Sequence, residues 1–486
     1  MTSEKRGIAK DTFFYTISQI ISQGIGFVTS IVIRNALGPL FMGIWSALRV
    51  VLDYTQYSGL GMTSAAYCEI PYLKGAGKLE EAEKVKNLTF TFTMVVSSFI
   101  AIMIFVSSFF LAKRYEPYVI NGLRVVALGT ILTFLYSFLS VILRAEKKFV
   151  SISKAMVLNA ALALIFAVTL VTRYKIYGMY AGFLLALVTT SIFILVNDNI
   201  KFRFYFNTKH LMKLMAIGLP LFFNGIFYII YISSDKILIL KLIGTEALGY
   251  YSLAMLVSST IDSFPRLFGI VIFPRAQEKY GEVQSYEYIK KYVEKPTKLF
   301  FYMSVIFLGY AYFAISGLVP YIMPKFTPGI LSAKILLCGV IIFMLIVFSE
   351  TFIVVIRKQL YLIPILLIST AIGITASYIL IKKGFGISGV SAGMSVSYIM
   401  YFIIVSGFAT GHFWKIRDAI NFYKDIFIPY VYVLMALVFI ETLFIGKQGI
   451  GTMFKEFVLY AIFSVPIVVL AHKKGYFKEI LSLIKK

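Results

Sequence analysis

The chain has 486 residues, 59% of them hydrophobic and only 14% charged, and no water-soluble fold of that length hides so much apolar surface. Its formal net charge of +24 would suit a nucleic-acid partner, but the distribution of the basic residues accounts for it without one. The two cysteines, Cys68 and Cys338, sit in apolar segments and imply neither a disulfide framework nor a thiolate metal site.

A transmembrane helix needs roughly 20 mainly apolar residues, so the breaks in hydropathy predict about fourteen spans. In chain order they cover 11–36, 41–70, 86–112, 117–143, 150–172, 176–198, 213–240, 246–273, 296–321, 330–356, 359–381, 386–411, 425–446 and 451–471. The expected fold class is an all-α polytopic membrane protein. The first apolar run is longer than the roughly 7–15 residues of a signal-peptide core and no A-x-A-like site follows it, so it stays as helix one. With the first loop in the cytoplasm, most Lys and Arg fall at cytoplasmic ends and loops, and Arg49, Arg124, Lys236, Arg266 and Lys455 fall within spans. This bias puts a multi-pass protein in the cell membrane with both termini cytoplasmic.

The chain repeats itself. IVIRNALGPLFMGIWSALRVV from Ile31 aligns without a gap on ILILKLIGTEALGYYSLAMLV from Ile237, matching Gly38, Gly43 and Ser46 to Gly244, Gly249 and Ser252. A second echo sets Gly178 and Gly182 on Gly389 and Gly393. Two six-helix lobes, 1–200 and 201–412, are therefore expected, with an extra helix pair and basic tail over 413–486. An even number of spans per copy makes the pseudo-twofold axis stand along the membrane normal, and a duplicated unit of this kind marks a transporter with its substrate path between the halves. The basic link KFRFYFNTKHLMK joins them. The charged connection from Arg275 to Lys295 reads equally as a surface amphipathic helix or a solvated loop.

No chemistry-bearing motif survives inspection. G-F-G-I-S-G at Gly384, Gly386 and Gly389 lacks the βαβ setting and the following acid of a dinucleotide fingerprint; small-xxx-small helix packing explains it better. Asn87-Leu88-Thr89 spells a glycosylation sequon at a cytoplasmic helix end, where it has no use. His210, His412 and His472 lack ligand spacing. With no Walker A, zincin or nucleophile-elbow sequence, the chain is expected to be no enzyme, to hold no metal and to need no cofactor. A membrane-embedded glycosyltransferase or polymerase would need a large outer loop and a carboxylate constellation, both missing.

Ionisable residues inside spans cost at least roughly 2.5–3.5 kcal/mol on insertion scales, so they should face a wet cavity. Arg49 and Asp53 on helix two, and Asp262 and Arg266 on helix eight, are each four apart and share a helix face. Arg124 on helix four adds a third cation toward the outer side. Two readings stay open: each Arg pairs with its Asp and pins helices together, or the arginines line a central cavity and grip an anionic headgroup through a bidentate fork. Asp235 on helix seven and Glu350 on helix ten are the candidates for binding a coupling ion from a Na+ or H+ gradient, at different depths. Glu441, near an outer helix end, reads as interfacial.

The 6 + 6 + 2 plan, the opening GIAKDTFFYTISQIISQGIGFVTSIVIRNALGPLFMGIWSAL, the string ISSDKILILKLIGTEALGYYSLA and the turn RAEKKF resemble the polysaccharide transporter (Wzx-type) flippases of the multidrug/oligosaccharidyl-lipid/polysaccharide exporter superfamily. The resemblance implies export of an isoprenoid-pyrophosphate-linked oligosaccharide from the cytoplasmic to the outer leaflet by alternating access, with membrane lipids, a polysaccharide polymerase and assembly proteins as partners. Arg49 and Arg266 resemble the cationic cavity of the related lipid II flippases. Helix one lacks the mid-membrane acid of some drug exporters, whereas Asp235 and Glu350 are similar in placement to the acids of sodium-coupled ones. A cation-coupled multidrug exporter of the same fold is thus the alternative.

Overall fold

The computed structural model describes residues 3–476 except Gln284, Arg357, His412, Phe413, Lys447 and Gln448, so His412 and the tail beyond Tyr476 lie outside it. Every long element among the described residues is helical. Among the described residues, eleven stretches are long and apolar enough to cross a membrane. Two of these, Phe14–Tyr57 and Phe149–Asp198, are much longer than one crossing and are broken by non-helical backbone at Gly38 (φ 70°) and Lys175 (φ 51°).

The chain divides into two compact units, Met1–Lys236 and Ile237–Lys486. In the first, α1 (Ser3–Tyr57) reverses at Gly38: Tyr15 meets Phe149 at one end of the unit and Phe41 meets Tyr118 at the other. Glycine is needed because the turn takes a positive φ that Cβ disfavours. The aligned Gly244, between α7 (Thr208–Leu242) and α8 (Thr245–Val283), has φ 123°. The repeated string thus marks the same reversal twice.

The span expected over 41–70 ends at Tyr57. Leu60 and Gly61 turn with positive φ, and α2 (Met62–Gly75) continues as a separate short helix whose Met62, Ala65 and Ile70 are buried against α3 (Leu79–Leu111) and α4 (Pro117–Ala145). Ser58, Gly59 and Gly61 mark the turn in the sequence, but the apolar segments on either side merge into a single span when hydropathy is averaged. A π-helix, Ala167–Val171, separates α5 (Phe149–Phe166) from α6 (Thr172–Asp198). The hairpin closes where Ser151 Oγ donates to Asp198 Oδ1 at 2.8 Å.

The RAEKKF turn has an electrostatic role. Lys74 of α2 and Lys148 bracket Glu146 at 3.0 and 3.2 Å, and Lys148 reaches Asp198 at 3.8 Å. Partial burial opposes ionisation of Glu146, but the two lysine hydrogen bonds outweigh it and hold the carboxyl below its usual range. A depressed carboxylate stabilises the fold above its unfolded pKa of about 4.3 and loses that contribution as pH falls through the native value. Thermal unfolding of Glu146→Gln is therefore expected to fall below wild type near neutral pH, by about 1 kcal/mol or less for so accessible a cluster, and to converge with it in acid. A difference that persists below pH about 3 would remove the carboxylate from the argument.

The link between the repeats is strapped down. Arg203 N donates to Asn87 Oδ1 at 2.9 Å and Tyr205 N to Thr91 Oγ1 at 2.8 Å, while the Phe202 ring packs at a tilt on Phe90, centroids 4.0 Å apart. Asn87 of the apparent sequon is thus a backbone anchor.

In the second unit the charged stretch expected as a connection from Arg275 to Lys295 is mostly helical: α8 runs on to Val283 and α9 (Tyr286–Ile322) starts three residues later. The span expected over 330–356 is two helices, α10 (Ile330–Phe343) and α11 (Ile346–Val355), with a turn between them. Next come α12 (Leu362–Lys382), α13 (Gly386–Thr410), α14 (Ile416–Leu443) and α15 (Ile450–Lys473). Glu441 is not merely interfacial: it binds the buried Lys334 at 2.7 Å, accepts from Tyr312 Oη, and so ties α14 to α9 and α10. Lipid offers apolar helices no hydrophobic reason to associate, so close backbone approach must supply the attraction. A Cβ on Gly178 would lie 2.1 Å from Leu170 O, and one on Gly393 2.3 Å from Ser377 Oγ. The second echo therefore records two glycine-packed hairpins, α5–α6 and α12–α13.

Candidate functional site

Both i,i+4 pairs form. Arg49 Nε meets Asp53 Oδ1 at 3.1 Å, and Arg266 Nε meets Asp262 Oδ2 at 2.8 Å. The Arg49 side chain is 52% exposed, and its terminal nitrogens make no hydrogen bond to a described residue. The pair engages one nitrogen and leaves the fork available.

Inside the first unit Arg49 lines a cavity of about 440 Å3 bounded by both limbs of α1 and by α4, α5, the π-helix and α6. Arg34, Trp45, Thr133, Tyr136 and Asn159 line it too. Arg34 is only 5% exposed and donates from Nη1 to Ser30 O at 3.0 Å. Asn159 Nδ2 donates to Thr190 Oγ1 at 3.1 Å, and Trp45 packs against Tyr180 and Phe183. Arg124 does not join them: it sits over Phe109, 5.1 Å from the ring centroid, with Ser108 and Asn121 at 3.4 Å.

The second unit gathers a different set. Glu350 of α11 accepts from Tyr401 Oη at 2.6 Å and lies within electrostatic reach of Arg266 and Asp262. Asp262 Oδ1 is buried with no hydrogen-bond partner among the described residues. Asp235, 4% exposed, belongs to the first unit and accepts from the backbone N of Lys236 at 2.7 Å. The structure thus brings Glu350 within reach of Asp262 and Arg266, keeps Asp235 in the other unit, and adds Arg34, which the sequence reading did not single out. Among the described residues no cluster of three His, Cys, Asp or Glu is placed to hold a metal.

Residues 78–318 match the profile of a family described as "Polysaccharide biosynthesis protein". The structure of the lipid II flippase MurJ in an inward closed conformation superposes with a TM-score of 0.71 over 96% of this chain and 100% of that one, at 14% identity. Over residues 78–318 the chain is similar to the polysaccharide biosynthesis proteins that this profile describes. The chain is also similar to an inward-facing multidrug resistance MATE family transporter of the MOP superfamily (TM-score 0.64, 17% identity, 85% and 96% of the two chains). A MOP superfamily transporter from Pyrococcus furiosus, described by the reverse polarity of its binding pocket, matches with a TM-score of 0.62 at 15% identity over 83% and 95%. At these identities the likeness is one of fold. Among curated proteins, no sequence matches significantly.

Proposed function

We propose that this transporter flips an isoprenoid-pyrophosphate-linked oligosaccharide from the cytoplasmic to the outer leaflet, with no covalent chemistry of its own. The observation that carries the reading is the polysaccharide-biosynthesis profile across residues 78–318, on a chain that superposes over nearly its whole length on a lipid II flippase. In this reading two lobes, 1–200 and 201–412, alternate access while the isoprenoid tail stays in lipid. Arg49 and Arg266 hold the pyrophosphate, positioned by Asp53 and Asp262, and Arg124 assists from outside the cavity. Both termini are cytoplasmic, because the basic residues gather on that side. Labelling of Lys209→Cys by an impermeant reagent applied outside intact cells would overturn the topology.

Expression in a host lacking its own polysaccharide flippase should restore surface polysaccharide; expression at the membrane with no restoration from any tested repeat unit counts against the reading. The Glu350–Tyr401 contact beside Arg266 favours a second reading, cation-coupled drug export, which predicts uptake of organic cations into everted vesicles. A Na+ or H+ gradient coupled at Asp235 or Glu350 is compatible with both. Substrate movement in Asp235→Asn or Glu350→Gln that still follows an imposed gradient as wild type does would dismiss that carboxylate.

A further inference from the structure

We infer that a groove of the first unit, between α1, α5 and α6, is a binding site for an anionic phospholipid, with one acyl chain lying along α5 and the phosphodiester at Lys154. The groove holds about 620 Å3, within the range of about 300–1,000 Å3 typical of small-molecule sites. Its floor is one face of α5: Val150, Lys154, Val157, Leu158 and Ala161 recur at the three- and four-residue spacing that stacks side chains on a helix. From Val150 to Ala161 the axis rises about 16 Å, at about 1.5 Å per residue, close to half of a hydrocarbon core about 30 Å thick. The groove is as long as one leaflet is deep. Phe14 of α1 and Phe193 of α6 form its sides, and the small Ala161 leaves room at the far end.

The polar groups gather at one end. Ser153 and Lys154 lie within the first two turns of α5, beside the RAEKKF turn, and Ser18 stands one turn along α1 from Phe14. No Asp or Glu lines the groove. Lys154 is exposed and makes no ion pair or hydrogen bond to a described residue, whereas Lys148 nearby binds Glu146 and Asp198. Ser153 is 4% exposed, and its Oγ has no hydrogen-bond partner among the described residues. A phospholipid supplies both missing partners, a phosphate oxygen for the lysine and an ester carbonyl for the serine. Plain hydrocarbon would leave the buried hydroxyl without an acceptor, and that cost separates a fitted lipid from the bulk annulus. The polar end also belongs to the first copy alone. Carried back along the hairpin, the second echo sets Ser153 and Lys154 on Pro364 and Ile365, so the site is not a by-product of the duplicated scaffold. It stands independently of the flippase reading.

The test places the full-length protein in phosphatidylcholine nanodiscs containing a trace of phosphatidylglycerol or phosphatidylcholine, each with the same diazirine-bearing acyl chain, and maps the photoadducts along the sequence. Phosphatidylglycerol is expected to label residues 157–161 and Phe193 at least about fivefold more than phosphatidylcholine, the equivalent of about 1 kcal/mol for one cation near the membrane surface. Lys154→Gln should erase that preference and Lys154→Arg should keep it, with unchanged phosphatidylcholine labelling as the check on folding. Ala161→Phe, which fills the far end, should cut labelling of the groove by both lipids. Equal labelling by the two lipids in wild type, a preference unchanged in Lys154→Gln, or full labelling in Ala161→Phe overturns the site. Unlabelled phosphatidylglycerol should displace the probe and glycerol 1-phosphate should not; displacement by the headgroup alone would overturn the role of the acyl groove. An isoprenyl phosphate that displaces the probe at lower concentration than phosphatidylglycerol would overturn the phospholipid and assign the groove to an isoprenoid tail.

Discussion

Surface polysaccharide in a flippase-deficient host is expected to fall at least about tenfold in Arg49→Lys or Arg266→Lys, the equivalent of ~1.4 kcal/mol of lost interaction, with membrane abundance unchanged. Lysine keeps the charge and loses the planar fork that grips phosphate oxygens through two nitrogens. The geometry makes this a fair contest between ligand binding and helix pinning. An exposed i,i+4 pair contributes only about 0.3–0.5 kcal/mol, and Arg49 and Asp53 are 52% and 34% exposed, so pinning cannot account for a large transport defect. The tighter Asp262–Arg266 pair is the more demanding case. Removing both partners isolates the pairwise energy at the first site, as in Arg49→Ala with Asp53→Ala; at the second, Arg266→Ala with Asp262→Ala also needs Glu350→Gln, because Glu350 lies within reach of Arg266. Rescue by the combined substitutions at both sites would defeat the pyrophosphate-binding role.

Gly178→Ala and Gly393→Ala are expected to abolish most of the folded protein, read as a monodisperse peak in size-exclusion chromatography of a fluorescent fusion. The added methyl on residue 178 meets the Leu170 carbonyl, a backbone atom that no rotamer change can move, and the one on residue 393 meets Ser377 N at 2.5 Å. Overpacking a well-packed site usually costs about 1–3 kcal/mol, and a clash with backbone lies at the upper end or beyond. Gly24→Ala is the control, with nothing within 4 Å of its new methyl. A wild-type peak for both hairpin variants would mean that the helices separate freely, and the packing account would fail.

These glycines also show what the sequence reveals. The repeat was legible because Gly38 and Gly244 need a positive φ and because Gly178, Gly182, Gly389 and Gly393 need room; such backbone demands leave letters that survive divergence. The two i,i+4 pairs were legible because helical spacing is local. The break after Tyr57 was missed although Ser58, Gly59 and Gly61 stand at it, because the segments on either side are apolar enough to average into one span; over Arg275 to Lys295 helix was one of two open readings, and what went unread was that α8 itself continues into it. Arg34 drew no notice in the sequence because its surroundings are set by α4, α5 and α6, which lie far along the chain. Its only advance signal was its place within the first repeated string. The approach of Glu350 to Arg266 is tertiary and leaves no spacing to read.

The strapped link has a mechanical meaning. Residues 203–205 are bolted to α3 through Asn87 and Thr91, so this segment is no tether. The chain passes from one compact unit to the other between Lys236 and Ile237, inside the unbroken helix α7. The boundary between the two units is therefore helical backbone and not a loop, and Asp235 sits one residue from it. A helix transmits torque where a loose strand would dissipate it.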